Sequence, residues 1–144
     1  ITLIYTETLQ LKLQYRRVFV SMNDLTFLKY YLDYTRDLDN MEFPLLRKRA
    51  GNGFVEIKDG NIIVGFLMVI ENFVHAIYVR PESRRKGLAK KAVRDYVNGG
   101  GNIVRLSIIP TNIEAKKFWD SVFYMTVISY NESTVTYQVD GLKD

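Results

Sequence analysis

The sequence predicts an α/β fold of the mixed α+β kind: one central mixed β-sheet flanked by helices, in a single domain over residues 1–144. Three observations predict it. Strand-like and helix-like periodicities alternate along the chain, so both kinds of element must share a core. A helix-patterned stretch separates two apolar strand stretches near the middle, which is how parallel strands are joined. A chain of 144 residues has room for one core rather than two. The balance of 47% hydrophobic to 25% charged residues is that of an ordinary globule and excludes wholesale disorder.

Residues 9–15 alternate apolar and polar side chains and read as a half-buried strand that runs on toward Val20. Ser21 followed by Asp24 resembles a cap, and Leu25, Leu28 and Leu32 recur at helical spacing, so a helix is expected over about 22–34. Residues 35–40 are a polar connection. A second short helix is expected over 41–50, with Pro44 near its start and Gly51, Asn52 and Gly53 as its stop. Residues 54–58 form a short strand, Asp59-Gly60 is a hairpin signal, and residues 62–70 return. Glu71 and Asn72 turn the chain into a strand over 73–79, which Pro81 ends. Residues 88–98 form a helix with Leu88, Ala89, Ala92, Val93, Tyr96 and Val97 on one face and Lys90, Lys91, Arg94 and Asp95 on the other. Gly99, Gly100 and Gly101 terminate it. Residues 103–109 are rich in β-branched side chains and form the strand after the crossover. Thr111 with Glu114 reads as a capping box, opening a helix that buries Ala115, Phe118, Trp119, Val122 and Phe123. Strands over about 124–130 and 135–139 complete the chain.

Composition removes several chemistries. There is no cysteine, hence no disulfide framework, no cysteine-ligated zinc and no thiol nucleophile. His75 is the one histidine, and no carboxylate cluster has loop-ligand spacing, so no metal is expected. No apolar run reaches about 18 residues, since Glu71 closes the longest stretch, and no membrane span is expected. No secretory signal is visible at the start, which makes a cytoplasmic location the default expectation, while Ile1 in place of Met leaves an upstream piece open. Net charge is +4, but its distribution is uneven. Between Arg80 and Arg94 seven basic residues face one acid, Glu82, which points to a phosphate-bearing partner.

The segment that carries chemistry runs from Ala76 to Lys90. A strand ends, a short basic loop with one glycine follows, and a helix begins. Main-chain N–H groups from Arg85 to Ala89 precede the first helical hydrogen bonds and are able to converge on an anion. The helix dipole adds positive potential there. Gly87 and the small Ala89 let a ligand come close to the backbone, and Arg84, Arg85 and Lys86 offer countercharge. A pyrophosphate fits this arrangement. The spacing is neither that of a Walker loop nor that of a three-glycine dinucleotide fingerprint.

Arg84-Arg-Lys-Gly87-Leu-Ala89 resembles the acetyl-CoA pyrophosphate signature of the GCN5-related N-acetyltransferase superfamily, Gln/Arg-x-x-Gly-x-Gly/Ala. The preceding residues from Tyr78 to Glu82 resemble the family's strand-to-loop sequence. Asn112-Ile-Glu-Ala115-Lys-Lys-Phe118-Trp119 is similar to its second cofactor motif. The clear resemblance covers roughly residues 54–130 and implies an acetyltransferase-like fold with acetyl-CoA as the acyl donor. On that resemblance, the main chain of Ile77, Tyr78 and Val79 pairs with the donor's pantetheine arm. The loop from Arg84 through Arg85, Lys86, Gly87 and Leu88 to Ala89 holds the pyrophosphate, Asn112 contacts the arm, and Lys90 or Lys91 reaches the 3′-phosphate.

One departure bears on chemistry. Many members carry a tyrosine seven residues after the asparagine as general acid toward the leaving thiolate, and here that position is Trp119. Tyr124 is the next candidate acid. His75 is the candidate base, because relatives that acetylate arylalkylamines resemble this chain in having a histidine at the matching strand position; strict alternation puts it on the face of Phe73, Ile77 and Val79. Glu71 is a second candidate base. The expected activity is transfer of acetyl from acetyl-CoA to a primary amine, of a small molecule or a protein, by direct attack in a ternary complex. The alternative is a catalytically degenerate acetyltransferase fold that binds acyl-CoA or a macromolecule. Direct nucleic-acid binding ranks last, since few stacking aromatics interleave the basic segment. The terminal strands of relatives mediate dimers, so a homodimer is the oligomeric state to look for.

Overall fold

The computed structural model describes residues 48–144; the strand expected over 9–15, the helix over 22–34 and most of the helix over 41–50 lie outside the described residues. Eight main elements follow a short 3-10 turn at Gly51–Gly53: β1 Phe54–Asp59, β2 Ile62–Ile70, β3 Phe73–Val79, α1 Leu88–Asn98, β4 Arg105–Ile108, α2 Ile113–Val122, β5 Phe123–Tyr130 and β6 Val135–Leu142. The strands form one mixed sheet in the order β1-β2-β3-β4-β6-β5. Every neighbouring pair is antiparallel except β3 and β4, which α1 joins as a crossover. The mixed sheet expected from the sequence is therefore present.

β2 is the centre of the packing. Its apolar run is buried on both faces, which is why its pattern is continuous rather than alternating. Phe66, Met68 and Ile70 pack with Ala76 and Tyr78 on one face. Leu67 and Val69 join Val93, Leu106, Trp119, Val122 and Phe123 on the other, beneath the two helices. The amphipathic face of α1 serves two groups: Leu88, Ala89 and Ala92 meet Ile57, Val64 and Val79, while Val93, Tyr96 and Val97 enter the larger core. The β1–β2 turn falls on Gly60 and Asn61, one residue later than the dipeptide signal, because Asp59 still pairs with Ile62. The β2–β3 turn uses Glu71 and Asn72, both with left-handed φ (53° and 67°), the conformation that suits the twist of a two-residue hairpin.

Two irregularities shape the centre of the sheet. Met68 pairs with Ala76, but Val69 pairs with Val74, so His75 is an extra residue, a β-bulge in β3. The bulge corrects the alternation expected for this strand. Val74 and Ile77 both pack into the helix-side core while Ala76 faces the other way, a pattern no uninterrupted period of two can produce. The second irregularity lies between β3 and β4. Their register contains a single pair, Phe73 with Arg105, supported by the Asn72 carbonyl accepting from Val104 N–H at 2.7 Å. Beyond it each strand follows its own antiparallel partner: β3 stays with β2 as far as Gly65–Val79, and β4 makes four pairs with β6. Bulges bend a strand and increase its twist, and this one comes two residues after the last shared pair. The two parallel strands part there.

Gly65 lets β2 and β3 lie close at the parting end. A Cβ built on it falls 1.9 Å from the Tyr78 carbonyl oxygen and 2.9 Å from Val79 Cα. Gly65→Ala is expected to cost about 3 kcal/mol, the upper end of overpacking penalties, because both obstacles are backbone. Gly60→Ala, in open space with φ +63°, is expected to cost only about 1 kcal/mol through its left-handed conformation. Urea unfolding of the two variants checks the ranking, and equal losses would count against the close approach.

At the far edge Asp140 accepts from the Thr126 hydroxyl at 2.6 Å and the Gln138 amide at 2.9 Å. These hydrogen bonds, Thr126 first, hold its carboxyl below the usual range. A depressed folded-state value gives a contribution that is present above the unfolded carboxylate range near 3.9 and lost as pH falls through the folded value. Asp140→Asn is therefore expected to lower stability at neutral pH and to lessen the further loss on acidification, read from thermal unfolding between about pH 7 and pH 2.

Candidate functional site

The parted strands open a cleft of about 880 Å³, lined on one side by the end of β3 and the loop into α1, and on the other by the first two turns of α2. The direction of the main chain along β3 follows from its contacts. Arg80 N–H donates to the Val64 carbonyl at 2.9 Å, and the Tyr78 carbonyl presses on Gly65. These groups face β2. Main-chain groups alternate in direction along a strand, so those of Ile77 and Val79 face the gap, where β4 no longer meets them.

After β3 the chain makes a 3-10 turn at Pro81–Ser83, closed by Ser83 N–H to the Arg80 carbonyl (3.0 Å) and Arg84 N–H to the Pro81 carbonyl (3.2 Å). The next backbone donation is Lys91 N–H to the Gly87 carbonyl at 3.0 Å. Among the described residues none of the six amides from Arg85 to Lys90 meets a backbone acceptor. Arg85 (φ 64°) and Gly87 (φ 76°, ψ 10°) both adopt the left-handed conformation. Alternation of handedness in so short a run turns successive N–H groups inward, making a concave donor ring at the N-terminus of an 11-residue helix. Its chain neighbours aside, no described residue comes within 4 Å of a Cβ built on Gly87, so there is open space at this point of the ring.

The basic side chains are disposed less simply than their sequence suggests. Arg84, expected as countercharge, turns back: its Nε donates to the Val79 carbonyl at 2.7 Å and its guanidinium lies over the Tyr78 ring. Lys86 reaches away to Asp59 at 2.9 Å and does not line the cleft. Lys91 pairs with Asp95 at 2.6 Å along the helix. Arg85 and Lys90 line the cleft and have no ion-pair partner among the described residues.

Across the cleft, Asn112 caps α2. Its Oδ1 accepts from Ala115 N–H at 3.0 Å. The cap is thus one residue later than the expected Thr111–Glu114 box, because Asn112 already holds the non-helical φ and ψ of a cap (−86°, 79°). With Oδ1 engaged, the Asn112 amide nitrogen is the polar group left for a ligand. Trp119 is 5% exposed. Its ring stacks on Phe123 (5.8 Å, 3°) and meets the edge of Phe118 (4.8 Å, 77°). It joins cleft lining to core and offers no hydroxyl. Leu88 and Ala89 line the cleft with their helix turn, as do Ile77, Tyr78 and Val79.

Two expected catalytic residues stand elsewhere. Tyr124 opens β5, is 58% exposed, and has the Lys143 ammonium 5.2 Å from its ring centre; it does not line the cleft. Chain proximity to α2 suggested it, but the strand leads away toward the opposite edge of the sheet. His75, exposed at the bulge, sits two residues past the Phe73–Arg105 pair, at the fork of the two strands and outside the cleft lining. Glu71 is at the hairpin tip, 3.4 Å from Arg49. Glu114 and Phe118 do line the cleft. Both lie inside the stretch similar to the second cofactor motif, where the sequence assigns Glu114 a capping role and Phe118 a core role and gives neither a ligand contact of its own.

The family model described as the acetyltransferase (GNAT) family matches residues 18–123. No curated protein matches the chain. Among solved structures, it is similar to the Pyrococcus horikoshii OT3 protein PH1933, with a TM-score of 0.66 at 16% identity over 84% of this chain and 92% of that one. It is also similar to a chain of a NatB acetyltransferase complex bound to a bisubstrate inhibitor, with a TM-score of 0.56 at 20% identity over 85% and 88% of the two chains. The solution structure of apo YjaB from Escherichia coli gives 0.51 at 17% identity over 81% and 90%. At these identities the likeness is one of fold.

Asn112→Ala is expected to cost about 1 kcal/mol through loss of the cap. Asn112→Asp keeps a capping oxygen and is expected to stay near the parent in chemical unfolding, although its ligand-facing donor is gone. A cap without structural weight would leave all three proteins alike.

Proposed function

We propose that this chain, which belongs to the GNAT acetyltransferase family, moves an acetyl group from acetyl-CoA to a primary amine by direct attack in a ternary complex. The observation that carries the proposal is the run of six amides around the left-handed Gly87 that meet no backbone acceptor among the described residues, set at the mouth of the gap between β3 and β4. Such a ring suits the donor's pyrophosphate. The gap-facing main chain of Ile77 and Val79 suits an extended arm bearing amides, taken up as an added strand. Arm and phosphates together aim the thioester along the parted strands.

The chemistry asks little covalently of the protein. A neutral amine nitrogen attacks the thioester carbonyl, the C–N bond forms, the C–S bond breaks, and the proton that the nitrogen sheds as the amide forms passes through solvent to the departing thiolate. A gap-facing N–H at Ile77 or Val79 is placed to donate to the oxygen on which charge develops. A thiolate of pKa near 8.5 leaves at neutral pH without a protein acid, which accords with Trp119 at the position where a tyrosine is common. The acceptor, with an ordinary pKa near 10.4 when lysine-like, must give up a proton first. His75 takes that proton through water from its exposed place at the fork.

A second reading rests on Trp119. With a buried aromatic where a proton donor is common, the fold would hold acyl-CoA without turning it over. Calorimetry with coenzyme A, followed by thiol release with a panel of small amines and peptide amines, separates the two. The expected result is binding and turnover, and binding without turnover establishes the second reading.

Gly87→Val puts a β-branched residue at φ 76° and distorts the donor ring, so coenzyme A affinity is expected to fall about a hundredfold, the loss of two charge-assisted hydrogen bonds. Unchanged affinity would remove the ring from the site. His75→Ala is expected to lower kcat about a hundredfold, as loss of a general base does, and to move the acid limb of the pH–rate profile up toward the acceptor amine's own ionisation while donor affinity stays constant. An unaltered profile would retire His75 from the mechanism.

A further inference from the structure

Between Arg80 and Arg94 five of the seven basic side chains are committed within the chain. Arg80 meets Ser83 and Glu82, Lys86 meets Asp59, Lys91 meets Asp95, and Arg94 donates to the Lys143 carbonyl. The fifth, Arg84, is tied differently, because its partner is the strand that flanks the cleft.

Resting on the donor reading above, we propose that Arg84 is a positioning residue that serves the thioester arm through Val79, and that phosphate charge is met instead by Arg85 and Lys90. The geometry lies in one peptide group. The Val79 carbonyl and Arg80 N–H belong to the same plane and point in opposite directions. Arg80 N–H is held by the Val64 carbonyl at 2.9 Å on the β2 side, and the Val79 carbonyl is held by Arg84 Nε at 2.7 Å on the gap side. The plane is clamped at both ends where β3 has already lost β4. Stacking of the guanidinium on Tyr78, 5.5 Å from the ring centre, fixes the arginine in turn.

Two consequences follow for a donor. First, the Val79 carbonyl already accepts from Arg84, so Ile77 offers the better gap-facing acceptor on the end of β3, and this sets the register at which an arm with amides pairs. Second, a carbonyl lone pair near a developing oxyanion repels it, and a guanidinium on that carbonyl offsets the repulsion. Arg85 and Lys90 have no such ties and line the same cleft.

Acetyl-CoA and S-acetylpantetheine separate the roles, since the second keeps thioester and arm but carries no phosphate. Arg84→Ala is expected to lower kcat about tenfold with both donors and to leave the ratio of their kcat/KM values unchanged, one charge-assisted hydrogen bond being worth about that factor. Arg84→Gln, which retains an N–H donor, is expected to recover most of the loss, as a general loss of folding would not. The double substitution Arg85→Ala, Lys90→Ala is expected to shift the donor ratio against acetyl-CoA by about tenfold or more. A ratio that shifts in Arg84→Ala, or that stays put in the double variant, overturns the assignment. Should Arg84→Ala fail to fold, Arg84→Gln and Arg84→Lys make the same comparison, with an unshifted donor ratio expected in both. Calorimetry with coenzyme A and pantetheine repeats it without turnover. A wild-type protein that binds neither overturns the donor reading itself, whereas binding with a phosphate-dependent loss in Arg84→Ala overturns the positioning role alone.

Discussion

Parallel strands in a sheet ordinarily satisfy one another along their length, and here they do so at one residue pair before each is drawn to a different antiparallel neighbour. That competition governs the molecule. Among the described residues it leaves the gap-facing main chain of Ile77 and Val79 without a strand partner, with the Val79 carbonyl taken up by Arg84, and backbone groups left open at a sheet edge are a ready template for another extended chain. The His75 bulge, the close approach at Gly65 and the single Phe73–Arg105 pair are parts of the same arrangement. Each helps β3 hold to β2 while it turns from β4.

The second half of the site repeats this logic at a helix end. The first turn of any helix lacks acceptors for its N–H groups, and the left-handed Arg85 and Gly87 extend that shortage back into the loop. Site donors are therefore mostly main chain. Side-chain charge plays a smaller part than its density in the sequence implies, because most of the cations stabilise the frame: Lys86 ties the loop to the β1–β2 hairpin, Arg94 pins the C-terminal strand, and Arg84 clamps the last peptide of β3.

Membership of the GNAT acetyltransferase family and likeness of fold to acetyltransferase structures agree with this frame. One departure falls on a side chain at the cleft. Trp119 fills the position of a common proton donor and at the same time stacks in the main core with Phe123. A residue tied so tightly to packing is held in place by the fold.

Much of the frame was legible from residue order. The nine-residue apolar run of β2, the amphipathic stripe of α1, the turn at Glu71–Asn72 and the glycine loop between strand and helix depend on local periodicity and residue preference, which sequence carries directly. Tertiary structure decided what local pattern does not encode: that His75 is an extra residue and so breaks the alternation of its strand, that Asn112 and not Thr111 caps α2, that Tyr124 is carried away from the cleft by its strand, and that Arg84 grips a carbonyl while Arg85 faces the cleft. The reason is physical. Register and the pairing of a flexible cation depend on partners outside the element itself, such as Val69 on the neighbouring strand for the bulge at His75 and Asp59 on the β1–β2 hairpin for Lys86, while cap choice follows the backbone angles that the loop imposes on Asn112; the periodicity within one element encodes none of these.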